Sequence, residues 1–449
     1  MRILFLTLDI GFGHRRVAEA VEKALRRLTP GLESHSYNIL DLLSPSLAEG
    51  LARFYLDLEK EDAALHTLIS RRINELKRGL GRQGGKEELV AGMQKAAKMA
   101  GTYLRPSMKE LRQGEFGLEK LLFYLYLRAV ARWPELLRYF TDDLEEGARR
   151  RPGNRLQGLL FYSLILKALH RAILESRPHV IVATQHYPNI FTAKLKKQGK
   201  LTIPLVAIPA GFRLSPFWAQ REVDRYLVAT EEMGEGLCEQ GVPPERIRVS
   251  GIPVDPEFSL PKDRKELRRK LGLHPELPVV LAMGGGEGIG LDGVVGPLMQ
   301  EGHPTYQLVV IAGRNRELYQ RVQALRGASP RPVRVLGFTE GIDEWMRAAD
   351  LLVTKPGGLT VAEALAAGLP MIFHTSLGGQ EEFHKEYVVR HGAGITLNQE
   401  APLPHAVCHL LGEKDRLARM AELARRLGRP RSAWEAGEEI SLLAKGTAG

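Results

Sequence analysis

Three glycine-rich turns hold the residues of this sequence best suited to bind an anion. Gly11-Phe12-Gly13-His14 ends one apolar run, Gly284-Gly285-Gly286-Glu287-Gly288 ends a second, and Lys355-Pro356-Gly357-Gly358 ends a third. Without a Cβ in the way, backbone N–H groups approach a ligand closely, and a helix N-terminus adds partial positive charge, so such turns suit phosphate. Any one of them is weak evidence, because many strand-to-helix turns use glycine for conformation alone. Three, two of them in the same half of the chain, favour a phosphate-bearing ligand. Lys355 adds a full positive charge, and Glu363 lies one turn inside the helix that starts near Leu359. Walker-A spacing is absent, which argues against a P-loop ATPase. A Gly-x-Gly-x-x-Gly fingerprint joined to its downstream acid is also absent, which argues against a dinucleotide enzyme. With no Asp-x-Asp, a dedicated Mg²⁺ or Mn²⁺ site lacks obvious ligands, and no metal is expected.

The elements that carry these turns alternate. The chain opens as strand (Arg2 to Leu8), loop (Asp9 to Gly13) and helix (about His14 to Leu28), closed by Pro30-Gly31. A second strand near His35 to Leu40 leads into a helical stretch over residues 46–60. "PHVIVAT" (178–184), "IPLVAIP" (203–209) and "DRYLVAT" (224–230) are further short β-rich runs separated by helical segments. In the second half, "LPVVLAMGGG" (277–286), "YQLVVIAG" (306–313), "RPVRVLGF" (331–338), "DLLVTKPGG" (350–358) and "LPMIFHT" (369–375) repeat the strand-plus-turn pattern. Such alternation argues for parallel sheets covered by helices on both faces, an α/β fold.

A chain of 449 residues exceeds what one hydrophobic core normally serves, so two domains are expected. The N-terminal Rossmann-like domain spans 1–248. Residues 249–263, with three prolines and no helical period, read as a linker. The second domain spans 264–431, and a final helix covers about 432–445 of the terminal segment 432–449. Residues 61–157 break the alternation and read as a helical, basic insertion in the first domain. Its stretch "LEKLLFYLYLRAVARW" (118–133) suits either packing on its own domain or a bilayer interface, aromatics inward and basic flanks at the headgroups.

Charge is concentrated there. The net charge is +10, and residues 71–155 hold 19 Lys and Arg against 11 Asp and Glu. Such a block can face anionic lipid, nucleic acid or water. The sequence holds no recognisable base-reading module, so nucleic acid is not an expected partner. No apolar run reaches the roughly eighteen residues of a spanning helix. "MRILFLTLDIGFGH" reads as a first strand rather than a signal peptide, since it enters a glycine loop without a small-residue cleavage site. The two cysteines, Cys238 and Cys408, have neither metal-ligand spacing nor partners for a disulfide framework, which fits a reducing cytoplasm.

Several segments, in order along the chain, resemble one family: "GFGHRRVAEAV", "PHVIVATQHYP", "VDRYLVAT", "GIPVDPEF", "LAMGGGEGIG", "VLGFTEGIDEWMRAADLLVTKPGGLTVAEALAAGLP" and "GGQEEFHKEYVVRHGAG". They look like the monogalactosyldiacylglycerol synthase and processive diacylglycerol glucosyltransferase family, relatives of the peptidoglycan enzyme MurG. The resemblance covers 1–60 and 158–400, and the Lys-Pro-Gly-Gly-Leu-Thr and Gly-Gly-Gln-Glu segments are its most specific part. It implies a GT-B fold of two Rossmann-like domains facing across a cleft. It also implies a UDP-sugar donor held by the C-terminal half, no other cofactor, and inverting, metal-independent transfer to a diacylglycerol-type lipid hydroxyl. The expected location is cytoplasmic, peripherally attached to the anionic inner face of the cell membrane.

The resemblance also implies roles. Gly357, Gly358, Leu359 and Thr360 hold the donor diphosphate, with Lys355 stabilising the charge of the leaving group. Glu363 accepts the ribose hydroxyls, Gln380 and Glu381 read hexose hydroxyls, and Phe338 presents its backbone to uracil. Arg314 reaches the nucleotide, and Gly13, Gly284, Gly285, Gly286, Glu287 and Gly288 complete the donor set. His14 is the implied base, since imidazole titrates in the useful range for deprotonating an acceptor hydroxyl. The alternative readings are an anion-binding or capping histidine at position 14, a capping carboxylate at 363, and a dipole-favoured polar pair at 380 and 381.

Two departures stand out on the acceptor side. Aligned on Trp218, "PAGFRLSPFW" places Gly211 where the family carries an aspartate and Ser215 where it carries a histidine. His186, Phe212, Ser215 and Trp218 remain as acceptor-side candidates, with His186 either compensating or structural. The losses leave a second reading open: a GT-B protein that binds a nucleotide sugar or lipid without turnover, or a MurG-like transferase with another acceptor. "LDGVVGPLMQEG" (291–302) is a short, glycine-weakened version of the family helix.

Overall fold

The computed structural model describes residues 1–8, 13–42, 155–300, 305–376, 380–397 and 402–446. Among them, twelve strands form two six-stranded parallel sheets. The first contains β1 (Arg2–Thr7), β2 (Glu33–Asn38), β3 (Val180–Ala183), β4 (Leu205–Ala207), β5 (Arg225–Val228) and β6 (Ile247–Val249). The second contains β7 (Val279–Met283), β8 (Gln307–Ile311), β9 (Val333–Leu336), β10 (Leu351–Thr354), β11 (Met371–Phe373) and β12 (Gly394–Thr396). The helices in the first half are α1 (Gly13–Leu28), α2 (Arg155–Ser176), α3 (His186–Lys197) and α4 (Glu231–Glu239). In the second half α5 (Arg264–Lys270), α6 (Val295–Leu298), α7 (Arg316–Leu325), α8 (Ile342–Ala348) and α9 (Gly358–Ala367) come first. They are followed by α10 (Gln380–Arg390), α11 (Leu403–Gly412), α12 (Lys414–Leu427) and α13 (Ser432–Gly446).

The central strands are continuous apolar runs because helices cover both faces. Ile3, Leu4, Phe5 and Leu6 of β1, and Val280, Leu281 and Ala282 of β7, are all fully buried. α1 presents Val17, Ala18, Val21, Ala24 and Leu25 inward. Its outer face carries the i,i+4 ion pairs Arg15–Glu19 and Glu22–Arg26, worth about 0.3–0.5 kcal/mol each.

The strand orders set where ligands go. The first sheet runs β2-β1-β3-β4-β5-β6 and the second β12-β11-β10-β7-β8-β9. The order in which strands are added across each sheet therefore reverses between β1 and β3 and again between β7 and β10. Open α/β sheets bind ligands beyond the carboxyl ends of strands at such reversal points. His14 follows β1, His186 follows β3, the Gly284–Gly288 loop follows β7 and the Gly357-Gly358 turn follows β10.

Sequence pattern had picked out five strands in each half. The sixth of each, β6 and β12, is a three-residue edge strand with mixed exposure, too short to carry a period. Val249 thus closes β6 instead of opening the linker, and Pro256–Ser259 form a 3₁₀ turn capped by the Asp255 carboxylate. The expected helices at 46–60 and 61–157, including the aromatic stretch 118–133, fall outside the described residues, apart from 155–157, which begin α2.

α13 returns to the first domain. Its Gly437 lies so close to α1 that a Cβ there would sit 3.0 Å from Leu28 Cδ1. Ala433 packs with Ala20 and Ala24, the Ser432 hydroxyl accepts from the Val254 amide at 3.1 Å, and Glu439 meets both Arg225 and Arg248 at 3.2 Å. Lys23 of α1 bridges to Asp255 at 2.8 Å, so α1 is tied to the interdomain segment as well. Half-exposed pairs of this kind contribute about 0–1 kcal/mol, which lets them set geometry more than stability.

Candidate functional site

On the first domain, His14 is the second residue of α1 and its Nδ1 lies 2.7 Å from the Thr184 carbonyl. A carbonyl only accepts, so Nδ1 carries the hydrogen and Nε2 is the basic nitrogen of the neutral ring. This tautomer suits a proton acceptor. His186 opens α3, with its Nδ1 3.2 Å from Gln185 Nε2 and its ring stacked 6.0 Å from Phe217 and edge-on 6.3 Å from Trp218. Burial, and secondarily the charge of His14, push its pKa down to about 3, so this ring stays neutral at physiological pH.

Of the other acceptor-side candidates, Ser215 has a structural role: its hydroxyl accepts from the Phe217 amide at 3.4 Å and caps a 3₁₀ turn. Trp218 is buried, and its carbonyl accepts from Asn189 at 3.0 Å and from the Tyr226 hydroxyl at 2.8 Å. Its buried indole lies edge-on to His186. Phe212 instead stacks on Tyr387 of α10 at 4.8 Å.

On the second domain, the glycines divide by role. Gly288 has φ +62°, and a Cβ there would lie 2.2 Å from the Ala312 carbonyl oxygen; one at Gly284 would lie 2.3 Å from the Ile289 carbonyl oxygen. Those two glycines serve close packing of loops, while Gly285 has open space around it. The Gly286 carbonyl accepts from the Arg314 amide at 2.9 Å, which joins the loops after β7 and β8. The Arg314 guanidinium covers the exposed Phe338 ring at 4.9 Å and lies 3.9 Å from the Glu287 carboxylate.

The turn after β10 is built differently. Gly357 is the N-cap of α9 and offers no side-chain cap, so the first N–H groups of the helix point at an uncapped mouth. A Cβ on Gly357 would lie 3.7 Å from Lys355 Nζ and 3.9 Å from Thr360 Oγ1. Ammonium, hydroxyl and helix dipole converge there, as an anion site requires. Leu359 follows in the first turn of the helix. Glu363, one turn further, is only 7 % exposed and has no hydrogen-bond or ion-pair partner among the described residues. Burial pushes its carboxyl up to about 8, with the charge of Arg16 on α1 working against that rise.

Lys355 and Glu381, both expected to meet the donor, are ion-paired with each other. Gln380 begins the same helix, α10, and its Oε1 approaches the first domain, 3.6 Å from the position of a Cβ on Gly211. Two residues of this region went unnoticed in the sequence. His374 follows β11 and His384 lies on α10, each with a buried Nε2 that has no hydrogen-bond partner among the described residues. Burial pushes both imidazoles down to about 4. His384 carried an available signal, since it lies three residues beyond Glu381 and shares its helix face. Among the described residues, no three His, Cys, Asp or Glu side chains come together as a metal site. No described helix is long and apolar enough to cross a membrane.

Residues 121–254 match the monogalactosyldiacylglycerol (MGDG) synthase family, and residues 294–432 match the glycosyltransferase family 28 C-terminal domain. The processive diacylglycerol beta-glucosyltransferase of Bacillus subtilis (strain 168) is 30 % identical over 299 residues, 66 % of this chain and 76 % of the relative. The chain belongs to this family of diacylglycerol glycosyltransferases. The enzyme of the same description from Bacillus cytotoxicus is 30 % identical over 313 residues, covering 69 % of this glycosyltransferase and 78 % of its own length. In fold, this family member is similar to Acinetobacter baumannii MurG, with TM-score 0.55, 15 % identity and coverage of 98 % of this chain and 99 % of that one. It is also similar to the UDP-GlcNAc 2-epimerase of Neisseria meningitidis, with TM-score 0.50, 13 % identity and coverage of 99 % and 100 %. The two sheets and their facing loops are the GT-B architecture.

Proposed function

We propose that this glycosyltransferase moves a hexose from a UDP-sugar to a hydroxyl of diacylglycerol or a related membrane lipid, with inversion and without a metal ion. The observation that carries the proposal is the mouth of α9. An uncapped helix N-terminus beside the Lys355 ammonium suits a diphosphate, and the unpartnered carboxylate one turn on suits a vicinal diol. The Bacillus relatives' description as diacylglycerol glucosyltransferases supports the lipid acceptor.

In this reading the acceptor oxygen attacks the anomeric carbon from the face opposite the phosphate. Its proton passes to Nε2 of His14, the C–O bond to the diphosphate breaks, and UDP leaves with the electron pair. The imidazolium that forms on His14 has a neutral neighbour in His186, so no second positive charge opposes it. The N–H groups of α9 and the Lys355 ammonium stabilise the charge gathering on the leaving diphosphate. Arg314 and Phe338 form the wall for the base. Attachment to an anionic membrane through the basic residues 71–155 completes the reading; sedimentation with anionic and neutral vesicles tests it, and equal binding to both defeats it.

Gly211 and Ser215, in place of the family's ionisable pair, favour a second reading in which the protein binds donor without turnover. One experiment separates the two. Purified protein is incubated with radiolabelled UDP-sugars and diacylglycerol in mixed micelles, and the lipids are resolved. A labelled glycolipid supports transfer; donor binding with no labelled lipid supports the second reading.

A further inference from the structure

Gly211 is the position at which this chain lacks the family's acid, and the structure shows what occupies the space. A Cβ there would lie 2.9 Å from Nε2 of His384, closer than real Cβ contacts come. On the opposite domain, a Cβ at Gly358 would lie 3.0 Å from Cε1 of the same ring and 2.6 Å from the Ala210 carbonyl oxygen. Two glycines, one on each side of the cleft, make room for one imidazole. The ring is held: its Nδ1 lies 2.9 Å from the Pro356 carbonyl, so Nδ1 donates. Phe212 meets it edge-on at 5.8 Å and stacks on Tyr387 at 4.8 Å, while Arg213 covers Phe383 at 3.6 Å. The loop 210–213 is therefore docked on the donor turn and on one face of α10, with His384 at the centre.

We propose that His384 is a positioning residue for transfer: its ring fills the volume Gly211 leaves open and so fixes the acceptor-side loop 210–213 against the donor turn 356–358. The proposal rests on the transfer reading above and adds to it the contact that sets the gap between acceptor and sugar. His384 is buried, and burial holds the ring neutral, with the hydrogen bond donated from Nδ1 to Pro356 working against that fall. Nε2 faces Gly211 without a hydrogen bond, so the docked loop carries an unsatisfied acceptor that solvent would satisfy if the loop lifted. A contact of this kind positions the loop while leaving it able to release.

The test exploits the size match. Gly211→Ala forces the Cβ against a ring that cannot retreat without breaking its bond to Pro356. His384→Asn keeps a donor near the Pro356 carbonyl and removes the far side of the ring. For Gly211→Ala we expect a fall in kcat of about tenfold or more, since misplacement by an ångström costs up to about a hundredfold. UDP affinity should stay within about threefold, and amide exchange in residues 211–213 should rise about fivefold or more. The double variant Gly211→Ala/His384→Asn should return both kcat and exchange to the level of His384→Asn alone. A double variant as slow and as exchange-labile as Gly211→Ala overturns the proposal, as does a Gly211→Ala protein indistinguishable from wild type. Should Gly211→Ala fail to fold, exchange in His384→Asn decides, since unchanged protection of 211–213 overturns it. A wild type that transfers nothing defeats the transfer reading, and exchange still judges the loop contact.

Discussion

Substitution of Glu363 by Gln, followed across pH, tests the donor site through a charge the structure makes unusual. The carboxyl is buried without a partner and its pKa is pushed up to about 8 by that burial, so at pH 7 it is mostly protonated. A ribose diol that donates two hydrogen bonds needs the ionised form. Binding at pH 7 therefore costs about 1 kcal/mol to remove the proton. From pH 6.5 to 8.5 the ionised fraction rises from about 3 % to about three-quarters, so affinity for a nucleotide sugar should tighten about twentyfold. The phosphates of a nucleotide sugar are ionised throughout, so the titration belongs to the protein. Calorimetry in two buffers of different ionisation enthalpy should register about 0.9 proton released per donor bound at pH 7. Glu363→Gln should bind about tenfold more weakly at pH 8.5, the worth of a charge-assisted hydrogen bond, and show no pH slope. A wild-type affinity that is flat between pH 6.5 and 8.5, with no proton released, refutes the reasoning.

Other perturbations follow from the same geometry. His14→Ala should lower kcat about a hundredfold or more while UDP affinity stays within about twofold, read by micelle assay and calorimetry together. Glu381→Gln releases Lys355 from its ion pair, so affinity for UDP should hold or improve while affinity for the UDP-sugar falls about tenfold. Acid should destabilise the fold through its buried histidines. His186, His374 and His384 have folded pKa values of about 3, 4 and 4, below the 6.5 of the unfolded chain. The unfolded state therefore binds more protons, and their stabilisation is lost as pH falls from about 6.5. Glu363 acts oppositely, because its raised pKa favours the folded state below pH 8 and cancels about one proton of the three. The net is a loss of about 2 kcal/mol per pH unit near pH 5.5, measurable by urea unfolding, and His384→Asn should reduce the slope by about half.

The sequence was most legible at the turn between β10 and α9. Gly357-Gly358 with Lys355 and Glu363 could be read directly, because a strand end, a bare turn and a helix start leave local marks. Central strands were equally plain, being apolar on both faces. The edge strands β6 and β12 were not, since three half-exposed residues hold no period. Gly284 and Gly288 show why a glycine-rich loop alone is ambiguous: a Cβ at Gly284 would strike the loop's own Ile289 carbonyl, and one at Gly288 the Ala312 carbonyl of the next loop. His384 escaped notice because its meaning lies in Gly211, 173 positions earlier, and only folding brings them together. Gly211 itself read as a loss, whereas the structure places the His384 ring against it.

The central claim is that the mouth of α9 holds a uridine diphosphate. Titrating UDP into the intact protein by calorimetry tests it most directly. We expect one saturable site that is weakened at least about tenfold by Lys355→Met, which removes a charge-assisted contact to phosphate. Heat no greater than dilution, or a site indifferent to Lys355→Met, would contradict it.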